Sequence, residues 1–182
     1  MDELVIAVPK GRLLGQLIEL WEEAGLSGEL LRTQSRRLIV VDGERKLKYI
    51  LAKPADVPTY VEYGAADLGV VGKDVLLEER ADVSELLDLG FGRCQLVVAV
   101  PNARGITKVD QLPYNSRVAT KYPHIARDYF SRQGLQVEVI KLSGSIELGP
   151  MVGLAEAIVD ITETGSTLVA NDLRPIAQVA PI

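Results

Sequence analysis

The chain has 182 residues, with 20 Lys and Arg against 25 Asp and Glu, one His, one Cys and 47% hydrophobic residues. A chain of this size buries about 70% of its unfolded surface, so a core forms without disulfide or metal staples. Cys94 has no partner for an intrachain disulfide, and with only His124 beside it no Cys/His zinc cluster assembles, so catalytic schemes needing several His or Cys are excluded.

In chain order, Leu4 to Val8 is a continuous apolar run, and Pro9-Lys10-Gly11-Arg12 interrupts it. Leu13, Leu14, Leu17, Ile18 and Trp21 then recur at helical spacing until Gly25, which predicts a strand, a turn and an amphipathic helix. Arg37 to Val41 and Lys48 to Ala52 flank Asp42-Gly43, a dipeptide that tolerates positive φ, and so predict a hairpin with Glu44, Arg45 and Lys46 at its tip. Asp56 is placed to cap a short helix through Tyr63, with Pro58 in the first turn. Leu68 to Val71 reads as a buried strand, Lys73 to Glu79 as a helix, and Cys94 to Val100 as a strand ending at Pro101.

The turn formers Pro101 to Gly105 predict a lobe crossing. The first lobe is then 1–100 with 165–182 returning to it, and the second is 101–164. Arg117 to Thr120 and Val137 to Leu142 are strands around a helix from Pro123 to Gln133. Ser143-Gly144-Ser145 opens a further helix, and Ala157 to Ile161 is a last apolar strand. Strand and helix alternate throughout, which predicts an α/β fold with mostly parallel sheets.

Local charge is more informative than the net −5. From Arg32 to Lys53 there are seven basic residues against two acids, whereas Glu62 to Asp88 holds eight acids against two bases. The basic stretch suits a small anion, or it is a charge-laced, solvated hairpin. Overall acidity, with two Phe and one Trp for base stacking, disfavours a nucleic-acid module. The N-terminus is acidic where a secretory signal is basic, and no apolar run approaches the roughly 18 residues of a spanning helix, so a cytoplasmic chain is expected.

The densest chemical signal is Ala157-Ile158-Val159-Asp160-Ile161-Thr162-Glu163-Thr164-Gly165-Ser166-Thr167-Leu168. An apolar strand runs into acids, then into a Gly flanked by hydroxyl residues, then into a run that can start a helix. Backbone N–H groups of such a turn receive a phosphate, and a carboxylate just before it accepts hydrogen bonds from sugar hydroxyls. The same letters also describe a helix cap with a turn. Gly72-Lys73-Asp74 lacks the spacing of a Walker loop and no G-x-G-x-x-G occurs. Asp74 is either a helix cap or a ligand contact, and isolated His124 reads as structural.

Glu147, Gly153, Ala155, Ile158, Asp160, Ile161, Thr164, Gly165, Thr167 and Leu168 fall in the spacing of the ATP phosphoribosyltransferase signature. Pro9 to Arg12, Asp56 to Glu62 with Gly64 to Gly69, Gly72 to Leu76 and Ala119 to Tyr122 also resemble that family, in order along the chain. The resemblance implies a two-lobe, type II periplasmic-binding-protein-like α/β fold with the active site in the inter-lobe cleft. It implies transfer of the phosphoribosyl group of phosphoribosyl pyrophosphate to N1 of ATP, with Mg²⁺, releasing pyrophosphate in the first step of histidine biosynthesis. By matched position, Asp160, Glu163, Thr164, Gly165, Ser166 and Thr167 would hold the ribose 5-phosphate. Arg12, Arg36 and Lys53 would face pyrophosphate or the ATP phosphates as catalytic cations. Lys10, Asp74, Val75, Lys121 and Tyr122 would lie near ATP.

The resemblance is to the short form, which works with a regulatory subunit similar to the catalytic core of histidyl-tRNA synthetase. A homodimer within a hetero-oligomer is implied. The end at Ala180-Pro181-Ile182 is early even for a short form, so a truncated species is expected. The runner-up function is a non-catalytic solute binder or sensor for a phosphorylated ligand in the same kind of fold, since fold does not decide function.

Overall fold

The computed structural model describes residues 3–32 and 37–182. Arg36 therefore lies outside the described residues. The chain divides into two units, Met1–Gly92 and Arg93–Ile182.

In the first unit, β1 (Leu4–Pro9), β2 (Ile39–Asp42), β3 (Leu47–Ala52) and β4 (Leu68–Gly69) form a sheet in the order β2-β3-β1-β4. β3 and β4 pair with β1 in parallel, and β2 closes the hairpin with β3 antiparallel. Alternate residues of β1 face opposite sides. Ile6 and Val8 pack with Leu17 and Ile18 of α1 (Arg12–Glu23), whereas Ala7 packs with Val57 of α3 (Val57–Glu62). Leu17 is fully buried, and truncation there to Ala would cost about 2–5 kcal/mol. α2 (Glu29–Arg32), absent from the sequence reading, adds Leu31 to the same core, and α4 (Lys73–Glu79) follows β4.

In the second unit, β5 (Gln95–Pro101), β6 (Ser116–Thr120), β7 (Val137–Lys141), β8 (Ala157–Thr162) and β9 (Leu173–Pro181) form a sheet ordered β7-β6-β8-β5-β9. β7, β6 and β8 run parallel, and β5 is antiparallel to both of its neighbours. One face packs on α5 (Pro123–Arg132) through Val118, Val159 and Phe130. The other carries α6 (Leu148–Met151) and α7 (Ser166–Ala170) over Ala119, Ile158 and Leu168.

Several expectations are corrected. The division falls at Gly92/Arg93 rather than after residue 100, because β5 lies inside the second sheet, antiparallel to β8 and β9. Residues 173–181 do not return to the first unit, since β9 pairs with β5 along its length. The second sheet is mixed rather than mostly parallel. Leu68 is 37% exposed, and β4 is two residues long, so the expected buried strand through Val71 is cut short. Asp56 makes no side-chain cap to α3, and a 3₁₀ turn, Pro54–Asp56, occupies that place. At the hairpin the positive φ falls on Lys46 (55°) and not on Gly43, while Asp42 accepts from the Arg45 amide at 3.2 Å.

Candidate functional site

In both units the sequence-selected residues lie at the carboxyl ends of parallel strands, where ligands of α/β sheets bind. In the first unit Lys10 and Arg12 follow β1, and Lys53 follows β3. Pro9 is in register with Ala52, and the Lys10 amide donates to the Ala52 carbonyl at 2.9 Å, so Lys10 and Lys53 leave adjacent strand ends. Lys10, Arg12 and Lys53 are all exposed. Between β1 and α1 the chain needs Gly11, whose φ of 101° and ψ of −148° no side chain tolerates well. That turn sets Arg12 as the first residue of the helix.

β4 lies on the other side of β1 and leads to Gly72, the N-cap position of α4. A Cβ on Gly72 would run into the Asp74 carboxylate. Asp74 and Val75 are half-buried in the first turn of α4. Lys73 beside them is paired with Glu85.

In the second unit β8 delivers Asp160 and passes into the turn at 163–165. Gly165 is left-handed at φ 78°. Its amide donates to Thr162 Oγ1 at 2.9 Å, and the Ser166 amide to Thr164 Oγ1 at 3.3 Å. Thr164 and Ser166 hydroxyls lie 2.9 Å apart. Glu163, Thr164, Ser166 and Thr167 are exposed, and Leu168 anchors α7 in the core. The result is a preformed turn that presents three hydroxyls to solvent.

Asp160 is half-buried, and burial is the main reason that its carboxyl is pushed up to about 6. The Ile161 amide, donating to Oδ1 at 2.8 Å, opposes the rise, Glu147 adds to it, and Lys121 also opposes it. Glu147 entered the sequence reading only as a signature position. It is separated from Asp160 in sequence, and only the packing of α6 on β8 makes it a neighbour.

Tyr122 does not join this surface. It is 4% exposed and belongs to the core over α5. Its amide is held at 2.9 Å by Thr120 Oγ1, which donates to the Val159 carbonyl at 2.6 Å. Its ring lies 5.8 Å from Lys121 Nζ, a supporting contact for an exposed cation. A depression of about 510 Å³ bounded by Arg104, Tyr114, Arg117, Glu138 and Glu156 sits at the opposite, N-terminal ends of β6 and β7. It contains none of the selected residues. Arg117 and Glu156 neutralise one another there at 2.8 Å, which holds the Glu156 carboxyl below its ordinary value.

A model of the HisG family, ATP phosphoribosyltransferase, matches residues 53–182. The chain belongs to the ATP phosphoribosyltransferase family. ATP phosphoribosyltransferases of Caldanaerobacter subterraneus subsp. tengcongensis and Halothermothrix orenii are 51% and 49% identical to it, over 100% and 98% of this chain and 84% and 81% of the relatives. The solved ATP phosphoribosyl transferase (HisG:HisZ) complex from Thermotoga maritima contains a chain 32% identical, with a TM-score of 0.82 over 98% of this chain and 83% of that one.

Solute-binding proteins share the fold alone. Tv2483 bound to L-arginine superposes with a TM-score of 0.62 at 15% identity over 98% of this chain and 74% of that one. The architecture is thus the two-unit α/β arrangement of type II periplasmic-binding-protein-like chains. The names carried by the relatives at about half identity favour an ATP phosphoribosyltransferase over a non-catalytic binder. Among the described residues no helix is long and apolar enough to cross a membrane.

Proposed function

We propose that the chain joins N1 of ATP to C1 of the phosphoribosyl group, opening histidine biosynthesis in the cytoplasm, with Asp160 and the 163–167 turn holding ribose 5-phosphate. The observation that carries this reading is the preformed hydroxyl turn beside an acid, in a chain whose ATP phosphoribosyltransferase relatives match it over nearly its full length. Adenine N1 brings its own lone pair, so no side chain need create the nucleophile. As the N1–C1 bond forms, the C1–O bond to pyrophosphate breaks, and its electron pair leaves on the pyrophosphate oxygen. Positive charge passes onto the adenine ring.

Two contributions remain for the protein: aligning two polyanions and stabilising the charge of the departing group. Arg12, Arg36 and Lys53 supply fixed cations for the second. Lys10, Asp74, Val75 and Lys121 serve the ATP side, and Asp160 with Glu163 accepts from ribose hydroxyls. Mg²⁺ usually keeps several waters and binds through one or two carboxylates plus substrate phosphates. The half-buried Asp160 carboxyl and the exposed Glu163 carboxyl, with the Thr164 and Ser166 hydroxyls, are an oxygen donor set of that kind. When bound with the polyphosphates, the ion would neutralise part of their charge, and Asp160 and Glu163 are the carboxylates that would help to hold it.

A regulatory subunit like that of the Thermotoga complex is proposed as a partner, with this chain as a homodimer inside the assembly. The test is incubation with ATP, phosphoribosyl pyrophosphate and Mg²⁺, with and without that subunit, following phosphoribosyl-ATP by its absorbance and confirming the N1 linkage. Stoichiometric product and pyrophosphate are expected. Binding of both substrates with no product in either condition would favour the sensor reading.

A further inference from the structure

Thr120 is the last residue of β6, and its polar side chain is fully buried. Its hydroxyl donates to the Val159 carbonyl at 2.6 Å and accepts from the Tyr122 amide at 2.9 Å, so its proton and an oxygen lone pair are both engaged. Thr120 and Val159 are the last registered pair of β6 with β8, and the hydroxyl adds a bond just where the two segments part. On the β7 side the Thr120 carbonyl accepts from the Leu142 amide at 2.9 Å. The end of β6 is therefore held from both flanks. The two peptide groups gripped by the hydroxyl both adjoin site residues. The Val159 carbonyl belongs to the peptide that leads into Asp160, and the Tyr122 amide to the peptide that leaves Lys121. Tyr122 occupies the N-cap position of α5, and its ring lies 5.8 Å from Lys121 Nζ.

We propose that Thr120 is a positioning residue for phosphoribosyl transfer, whose buried hydroxyl fixes the ribose-side carboxylate of Asp160 against the ATP-side cation of Lys121. The inference rests on the reading of those two residues as the ribose and ATP contacts. Transfer needs C1 of the donor and N1 of adenine in near-attack geometry, and a displacement of about 1 Å can cost on the order of 10²-fold in rate. Removing the hydroxyl frees both peptide groups and deletes neither contact. Each substrate still binds, and the bound pair reacts more slowly.

The experiment uses the full chain, with the regulatory subunit where turnover requires it, and ATP, phosphoribosyl pyrophosphate and Mg²⁺. Single-turnover rates, the affinity for each substrate by calorimetry, and melting temperatures are measured for the wild type, Thr120→Val, Thr120→Ala and Thr120→Ser. Asp160→Ala and Lys121→Ala are measured alongside. Thr120→Val keeps the methyl and the volume but leaves the Tyr122 amide without its partner, whereas Thr120→Ser keeps the hydroxyl and loses the methyl. Thr120→Val and Thr120→Ala should slow the single turnover on the order of 10- to 100-fold, with each affinity within about threefold of wild type. Thr120→Ser should react within about threefold of wild type, although it melts lower because a buried methyl is missing.

Rescue of rate by serine without rescue of stability is the discriminating readout, because a merely structural role would make rate follow melting temperature. Should Thr120→Val fail to fold, the Thr120→Ser and Thr120→Ala pair, which differ only in the hydroxyl, decides the matter. A Thr120→Val rate equal to wild type, or Thr120→Ser as slow as Thr120→Ala, would overturn the proposal. Asp160→Ala and Lys121→Ala that both bind and react as the wild type does would instead overturn the reading of the site on which it stands.

Discussion

Replacing Asp160 by Asn should stabilise the folded protein at neutral pH while weakening donor binding. The carboxyl has an ordinary value of 3.8 and titrates at about 6 in the folded chain. At about 1.4 kcal/mol for each unit, the folded state is destabilised by on the order of 3 kcal/mol once Asp160 is ionised. The sign is opposite to that of a salt-bridged acid. Folded protein binds this proton more tightly than unfolded protein, so the destabilisation is absent below about pH 4, grows between about 4 and 6, and is constant above. Asn retains an oxygen that can accept from the Ile161 amide, so the substitution removes mainly the charge. Scanning calorimetry of both proteins from pH 4 to 8 should show Asp160→Asn melting on the order of 5–10 °C higher at pH 7, with the gap closing toward pH 4. A variant no more stable at pH 7, or a gap that persists undiminished in acid, would refute the reasoning. The expected outcome would mean that the wild type keeps a half-buried charge whose removal favours folding, a cost of the kind expected at functional sites.

Arg12→Ala, Lys53→Ala and Arg36→Ala should each lower turnover by a factor on the order of 10² if they stabilise departing pyrophosphate, and steady-state kinetics showing unchanged turnover would remove the residue from the mechanism. Gly165→Ala places a side chain at φ 78° and should cost about 1–2 kcal/mol with weaker donor binding, read by denaturation and calorimetry. Tyr49→Phe deletes the acceptor of the Trp21 indole N–H, 3.0 Å away in the first unit's core, and should destabilise by about 1 kcal/mol in urea titration followed by Trp21 fluorescence.

Local grammar made the site's segments legible. A run such as Leu4 to Val8 followed by Pro-Lys-Gly-Arg states a strand, its end and a helix start within a few residues, and the same holds for Ala157 to Thr167. What stayed hidden depends on pairing between distant residues. Leu173–Pro181 contains Pro175 and Pro181, which count against a strand interior. β9 accepts them because it is an edge strand, with irregular register opposite Leu96/Val97 and Val98/Ala99. The antiparallel direction of β5 follows from which strands flank it, and nothing within Gln95 to Pro101 encodes that. Tyr122 was selected only through the family resemblance of Ala119 to Tyr122, yet α5 begins after it and its ring lies in the core. The grouping of Lys121, Glu147 and Asp160 needs three elements to pack before it exists. Resemblance had already marked all three positions, but only the packing of α6 on β8 makes Glu147 a neighbour of Asp160.

The most direct test of the account is a structure of the protein with phosphoribosyl pyrophosphate bound. The account predicts the 5-phosphate on the turn formed by Glu163, Thr164, Gly165, Ser166 and Thr167, with the ribose hydroxyls on Asp160. A donor seated instead in the depression between Arg104 and Arg117, with the 163–167 turn empty, would contradict it.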